Sequence, residues 1–118
     1  MKPSLRLLHS PDVADLEGYA TKIGEPFCIL VQAMFGPEGA EGEESFDILV
    51  CSPEWFAENI GESEILSGSH HLIVRKFNYE PIFRYLVEFA ERCTGTNWRE
   101  CAAKLSRLGK WEFEGYRP

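Results

Sequence analysis

The sequence predicts an α+β fold: a two-layer domain in which an antiparallel sheet of four to five strands carries two to three helices on one side. Three observations point there. Apolar, strand-like runs at residues 27–35, 46–51 and 70–77 dominate the first two thirds of the chain. Two stretches with apolar residues at helical spacing follow, at residues 81–93 and 97–108. A length of 118 residues supports one hydrophobic core, so a single domain over residues 1–118 is expected.

Leu5, Leu7 and Leu8 mark a short first strand, and residues 11–18 are acidic and turn-like. The run FCILVQAMF, residues 27–35, is mostly apolar on both faces, as a central strand covered on both sides would be. GPEGAEGEES, residues 36–45, holds three Gly and one Pro and reads as a loop. FDILVC, residues 46–51, is the returning strand of a hairpin. Ser52 then caps a short helix, with Pro53 at its first position and Glu54 at its positive end. That helix ends near Gly61, and a polar loop leads to the strand HHLIVRKF, residues 70–77.

Pro81 opens the next helix, which buries Ile82, Phe83, Leu86, Val87, Phe89, Ala90 and Cys93. Arg84–Glu88 and Glu88–Arg92 are opposite charges at i,i+4 on its wet side. Asn97 and Glu100 cap the last helix, Trp98, Cys101, Ala102, Leu105 and Leu108 form its stripe, and Gly109 ends it. The tail from Lys110 alternates Trp111 and Phe113 with Glu112 and Glu114, the pattern of an extended segment on a sheet edge.

Charge is divided unevenly. Residues 1–64 hold 13 Asp/Glu against 3 Lys/Arg, a balance of −10; residues 65–118 hold 6 against 9, a balance of +3; the two sum to −7. An acidic half suits a positive partner and disfavours nucleic acid, whose backbone wants the opposite sign. No apolar stretch nears the roughly 20 residues of a membrane helix. The N-terminus MKPSLRLLHSP lacks a signal-peptide core, so a cytoplasmic location is expected. Cys28, Cys51, Cys93 and Cys101 form no CxxC pair and read as buried free thiols rather than two disulfides.

Residues with catalytic potential are scattered. His70 and His71 are strand neighbours that point to opposite faces, so they do not readily share a metal. Neither HExxH nor calcium-loop spacing occurs. Gly36, Gly39 and Gly42 recur every third residue, yet their acidic loop would repel phosphate. No catalytic residue, metal or cofactor is assigned. Cys51, just before a capped helix, is the best nucleophile candidate, but its acidic surroundings disfavour a thiolate. The alternative function is therefore a small enzyme or ligand-binding domain with a pocket near Cys51 and His71.

The carboxylates are the stronger lead. Glu38, Glu41, Glu43, Glu44 and Asp47 flank the hairpin. Glu54 and Glu58 share a helix face, where like charges cost about 0.2–0.5 kcal/mol, and Glu62 lies just beyond. A solvated face that aids solubility is the plain explanation. The functional one is a patch awaiting a basic partner, with Trp55 as its apolar anchor.

Gly36-Pro37, the strand over residues 46–51, Pro53-Glu54-Trp55, Trp98 and the closing Trp111-Glu112-Phe113, taken in order, resemble the bacterial immunity proteins of the immunity protein eight family. The similarity runs over roughly residues 24–116, and the part before Gly24 carries little of it. The resemblance implies a non-enzymatic protein encoded beside a polymorphic or contact-dependent toxin. Such a protein binds the toxin's C-terminal domain in the cytosol and blocks it. These toxins are often nucleases, commonly basic because they hold polyanions, which agrees with the acidic half here. The expected partner is a basic toxin domain met by Glu38, Glu41, Glu43, Glu44, Asp47, Glu54, Trp55, Glu58 and Glu62. Nucleic acid and membrane are not expected partners, and no homo-oligomer is predicted.

Overall fold

The computed structural model describes residues 1–114. Its elements are β1 (Pro3–His9), β2 (Cys28–Pro37), β3 (Glu44–Cys51), α1 (Pro53–Asn59), β4 (His71–Ile73), α2 (Tyr79–Glu91), α3 (Trp98–Leu105) and β5 (Lys110–Trp111). The sheet order is β1-β2-β3-β4, with β5 also pairing β3. This is the expected α+β class, with one difference inside the sheet. Three pairings are antiparallel, but β3 and β4 run parallel. Parallel neighbours need a crossover of about a dozen residues or more, and residues 52–70, which contain α1, provide it.

β2 is central, as its apolar run predicts, but helices cover only one of its faces. Ile29, Val31, Ala33 and Phe35 are buried, as are Phe46, Ile48 and Val50 of β3. Onto them pack Ile82, Leu86 and Ala90 of α2 and Ala102 and Leu105 of α3. Phe35 meets Phe46 edge-on, with ring centroids 5.7 Å apart, and Trp111 of β5 stacks on Phe46. Truncating a buried Phe in such a cluster to Ala costs about 3–5 kcal/mol.

The opposite face of the sheet stays open. Cys28, Leu30, Gln32 and Met34 of β2 are only half-buried. α1 is the element on this side, and its seven residues are too few to cover it. Its Trp55 and Phe56 rings contact His71, whose register partner Leu49 lies on this face. No residue of α1 is buried. Two helices therefore share one side, and the third sits across the sheet from them.

Local chemistry sets the element ends. Ser52 is fully buried, and its Oγ accepts from Trp55 N–H at 3.3 Å as the cap of α1. The same oxygen accepts from Phe27 N–H at 3.1 Å, so one hydroxyl joins the helix start to the residue that leads into β2. The strand expected over residues 70–77 shrinks to three residues. His70 adopts a φ of 60°, the chain bends at Arg75 and Lys76, and Phe77 turns into the core. There Phe77 N–H donates to Thr21 Oγ1 at 2.7 Å. α2 starts two residues before Pro81, which stands in the first turn, where a missing N–H removes no helical bond. Among the described residues, no helix is long and apolar enough to cross a membrane.

Candidate protein-interaction site

The hairpin joining β2 and β3 is a tight acidic turn. At its base, Arg6 Nη2 donates to Pro37 O and to Ala40 O, each at 2.7 Å. Arg6 is the residue skipped where the β1–β2 register shifts, which is how its side chain is freed to reach the turn. Gly39 and Gly42 adopt φ values of 80° and 97°. Gly36 answers a different need: a Cβ there would stand 2.1 Å from the Gly42 carbonyl oxygen. The glycine spacing thus builds a turn and leaves Glu38, Glu41 and Glu43 exposed.

Glu44 works in the opposite direction. Its Oε1 accepts from Trp98 Nε1 of α3 and, at 3.1 Å, from Trp111 Nε1 of β5. Both indoles are thereby tied to the start of β3. Pro37, Glu41, Gly42, Glu43, Glu44 and Trp98 line one open hollow of about 320 Å³. A guanidinium or ammonium group is the chemistry that carboxylates beside an indole accept, through charge-assisted hydrogen bonds and the ring face. Glu38 lies to the side, 3.7 Å from Lys2 Nζ.

The remaining predicted residues lie apart from this hollow. Asp47 projects from the open face, where its Oδ1 accepts from Gln32 Nε2 at 3.2 Å. Glu54, Trp55 and Glu58 belong to α1, beyond the far end of β3, and Glu62 follows in the next turn. From Glu44 to Cys51 is seven steps along β3, about 23 Å. The structure therefore unites Glu41, Glu43 and Glu44 and holds Glu54, Glu58 and Glu62 as a second cluster. By strand alternation Glu44 shares the helix-covered face with Phe46, so the hollow beside Trp98 lies on that side, while Leu7, Leu30, Met34 and Leu49 make the open face, on the side of α1, apolar. Trp55 is half-buried, edge-on to Phe56 and against His71, so part of its ring is spent on its own chain. Glu54 Oε1 is buried and, among the described residues, has no hydrogen-bond partner.

Trp98 is the residue that sequence reasoning placed elsewhere. Its helical spacing assigns it to the buried stripe of α3, and it does pack against the core. Its indole edge nonetheless reaches the hollow, through a contact with a residue 54 positions away.

The pocket expected near Cys51 and His71 has a different lining. A groove of about 440 Å³ runs between β4 and α2, lined by Leu72, Ile73, Pro81, Ile82 and Tyr85 among others, and by neither Cys51 nor His71. Cys51 is fully buried, and burial pushes its thiol well above the ordinary value, opposite to what activates a nucleophile. His71 Nδ1 is engaged with Ser69 O at 2.9 Å. Among the described residues, no three His, Cys, Asp or Glu side chains gather as a metal site.

No curated protein and no solved structure matches the chain. A family model described as Immunity protein 8 matches residues 4–116. The match begins well before Gly24 and so takes in β1, whose pairing with β2 positions Arg6 at the hairpin. With nearly the whole domain matched, hairpin and α3 included, the chain belongs to the Immunity protein 8 family.

Proposed function

We propose that this protein binds and neutralises a cognate bacterial toxin in the cytoplasm of the producing cell, acting by contact and not by catalysis. Family membership supports an immunity role with a toxin as partner. The observation that carries the contact is the hairpin hollow, where Glu41, Glu43 and Glu44 meet Trp98. A basic toxin domain, such as a nuclease that must hold a polyanion, presents the Arg or Lys side chains that this hollow accepts. Glu38 and the second cluster, Glu54, Glu58 and Glu62, extend the negative field that steers the encounter. Asp47, Trp55 and the apolar open face supply contact area on the side of the second cluster.

Charge reversal at the hairpin tests this. Glu41 and Glu43 are exposed, so Glu41→Lys with Glu43→Lys leaves the core intact. The double variant is expected to associate about tenfold more slowly, or slower still, with the toxin domain encoded beside it, and to lose most of its salt dependence. Reversal at Glu54 and Glu58 is expected to slow association less. Wild-type association and full protection of cells by the hairpin variant would count against the hollow as the contact.

A further inference from the structure

Cys28 and Cys51 are directly opposite each other at the end of the β2–β3 ladder. The next pair outward fixes their geometry. Ser52 N–H donates to Phe27 O at 3.0 Å, so Phe27 and Ser52 face each other at a hydrogen-bonding position. Pair types alternate along an antiparallel ladder, which makes Cys28 and Cys51 a non-hydrogen-bonded pair. Gln32 and Asp47, four pairs further along, belong to the same class, and their side chains do meet across the ladder at 3.2 Å. In such pairs the Cα atoms are about 4.5 Å apart, with side chains on the same face. Disulfides span Cα separations of about 4.4–6.8 Å. Both thiols are free; Cys28 is half-buried and Cys51 buried.

We propose that Cys28 and Cys51 form a redox-modification site, a dithiol that a disulfide oxidant such as oxidised glutathione converts to a cross-strand disulfide. Cys28, the partly exposed member, releases its proton to solvent, and its thiolate attacks one sulfur of the oxidant. The oxidant's S–S bond breaks and one glutathione thiolate leaves. Cys51 Sγ then attacks the Cys28 sulfur, breaks its bond to glutathione and passes its proton to the departing glutathione thiolate. Two electrons pass to the oxidant: two protein thiols and one glutathione disulfide become one protein disulfide and two glutathione thiols. The second attack occurs within the register pair, so Cys51 needs no opening to solvent for it. Burial raises both thiols above their ordinary values, so the exchange is slow near neutrality and quickens as pH rises. Cys93 and Cys101 lack an exposed attacking member; both are buried, and their thiols donate to Phe89 O and Met1 O.

The test is incubation of the full chain with excess oxidised glutathione at mildly alkaline pH. Samples are then quenched in acid, unfolded, alkylated and examined by intact mass and peptide mapping. Two of the four thiols are expected to escape alkylation, to map to a Cys28–Cys51 crosslink and to return after dithiothreitol. Cys51→Ala, checked for folding by circular dichroism, is expected to stop at a single glutathione adduct on Cys28. Cys28→Ala is expected to keep its remaining thiols free. Four alkylated thiols in the wild type, a wild-type product that stops at the Cys28 adduct, or a crosslink through Cys93 or Cys101 would each overturn the proposal. The wild-type map decides the matter even if a variant fails to fold. No toxin enters the assay, so its outcome is independent of the immunity reading.

Discussion

Glu44 Oε1 accepts from two indoles, Trp98 and Trp111, that lie 54 and 67 residues further along the chain. One carboxylate thus ties α3 and β5 to β3 while also lining the hollow. A hydrogen bond to a charged group contributes about 1.5–3 kcal/mol, less when partly solvated as here. Glu44→Ala is expected to destabilise the fold by about 2 kcal/mol in urea unfolding, by loss of both bonds. Glu44→Gln is expected to lose less, because its carbonyl oxygen still accepts. Glu44 was legible in the sequence as an acidic residue at the hairpin, and its structural duty was not. Nothing in local spacing links positions 44, 98 and 111; only the folded sheet does. Gly36 teaches the same lesson. The sequence marks it as a loop glycine, whereas the cause is the Gly42 carbonyl, 2.1 Å from where a Cβ would sit. Gly36→Ala is expected to cost about 1–3 kcal/mol, read as a lowered melting temperature, because backbone would have to move to make room.

Among the elements, those governed by short-range chemistry were the most legible. Ser52 caps α1 and Asn97 caps α3, whose Glu100 N–H donates to Asn97 Oδ1 at 2.9 Å. The apolar spacing of α2 and α3 selects the residues that meet the sheet. What was not legible was direction. Antiparallel pairing was the simple expectation for β4, but α1 acts as a crossover and returns the chain parallel to β3. The apolar second face of β2 read as covered, because sequence shows hydrophobicity and not the reach of a seven-residue helix. At the start of α3, Thr96 N–H donates to Glu100 Oε2 at 2.8 Å, and the hydrogen bonds from Thr96 hold that carboxyl below its ordinary value of 4.5. A depressed folded-state value favours the charged form in the native protein. The cap contribution is therefore fully present above about pH 4.5 and disappears as pH falls through the lower folded value. Wild-type and Glu100→Gln stability are expected to differ above that range and to converge below it, in denaturant titrations across acid pH.

At the scale of the whole molecule, the sequence shows an acidic half, and the fold divides that half into two fields. One surrounds the hairpin hollow; the other follows α1, about 23 Å away along β3. The hollow lies on the helix-covered side of the sheet, and the α1 carboxylates border the other face, where Leu7 is half exposed and Leu30, Met34 and Leu49 are half-buried. The open face, apolar within and bordered by Asp47 and the α1 carboxylates, has the composition of a protein interface, and the hollow is a separate acidic site. Net charge alone predicted a positive partner; only the fold shows which carboxylates can act together and that Trp98 joins them. The most direct measurement is the association rate of the purified protein with a candidate cognate toxin domain, at low and at high salt. Tight binding that abolishes toxin activity, with an association rate that falls by about tenfold or more as salt rises, is the predicted result. Absence of binding would contradict the immunity reading, and tight binding at a salt-insensitive rate would contradict the acidic hairpin as its contact.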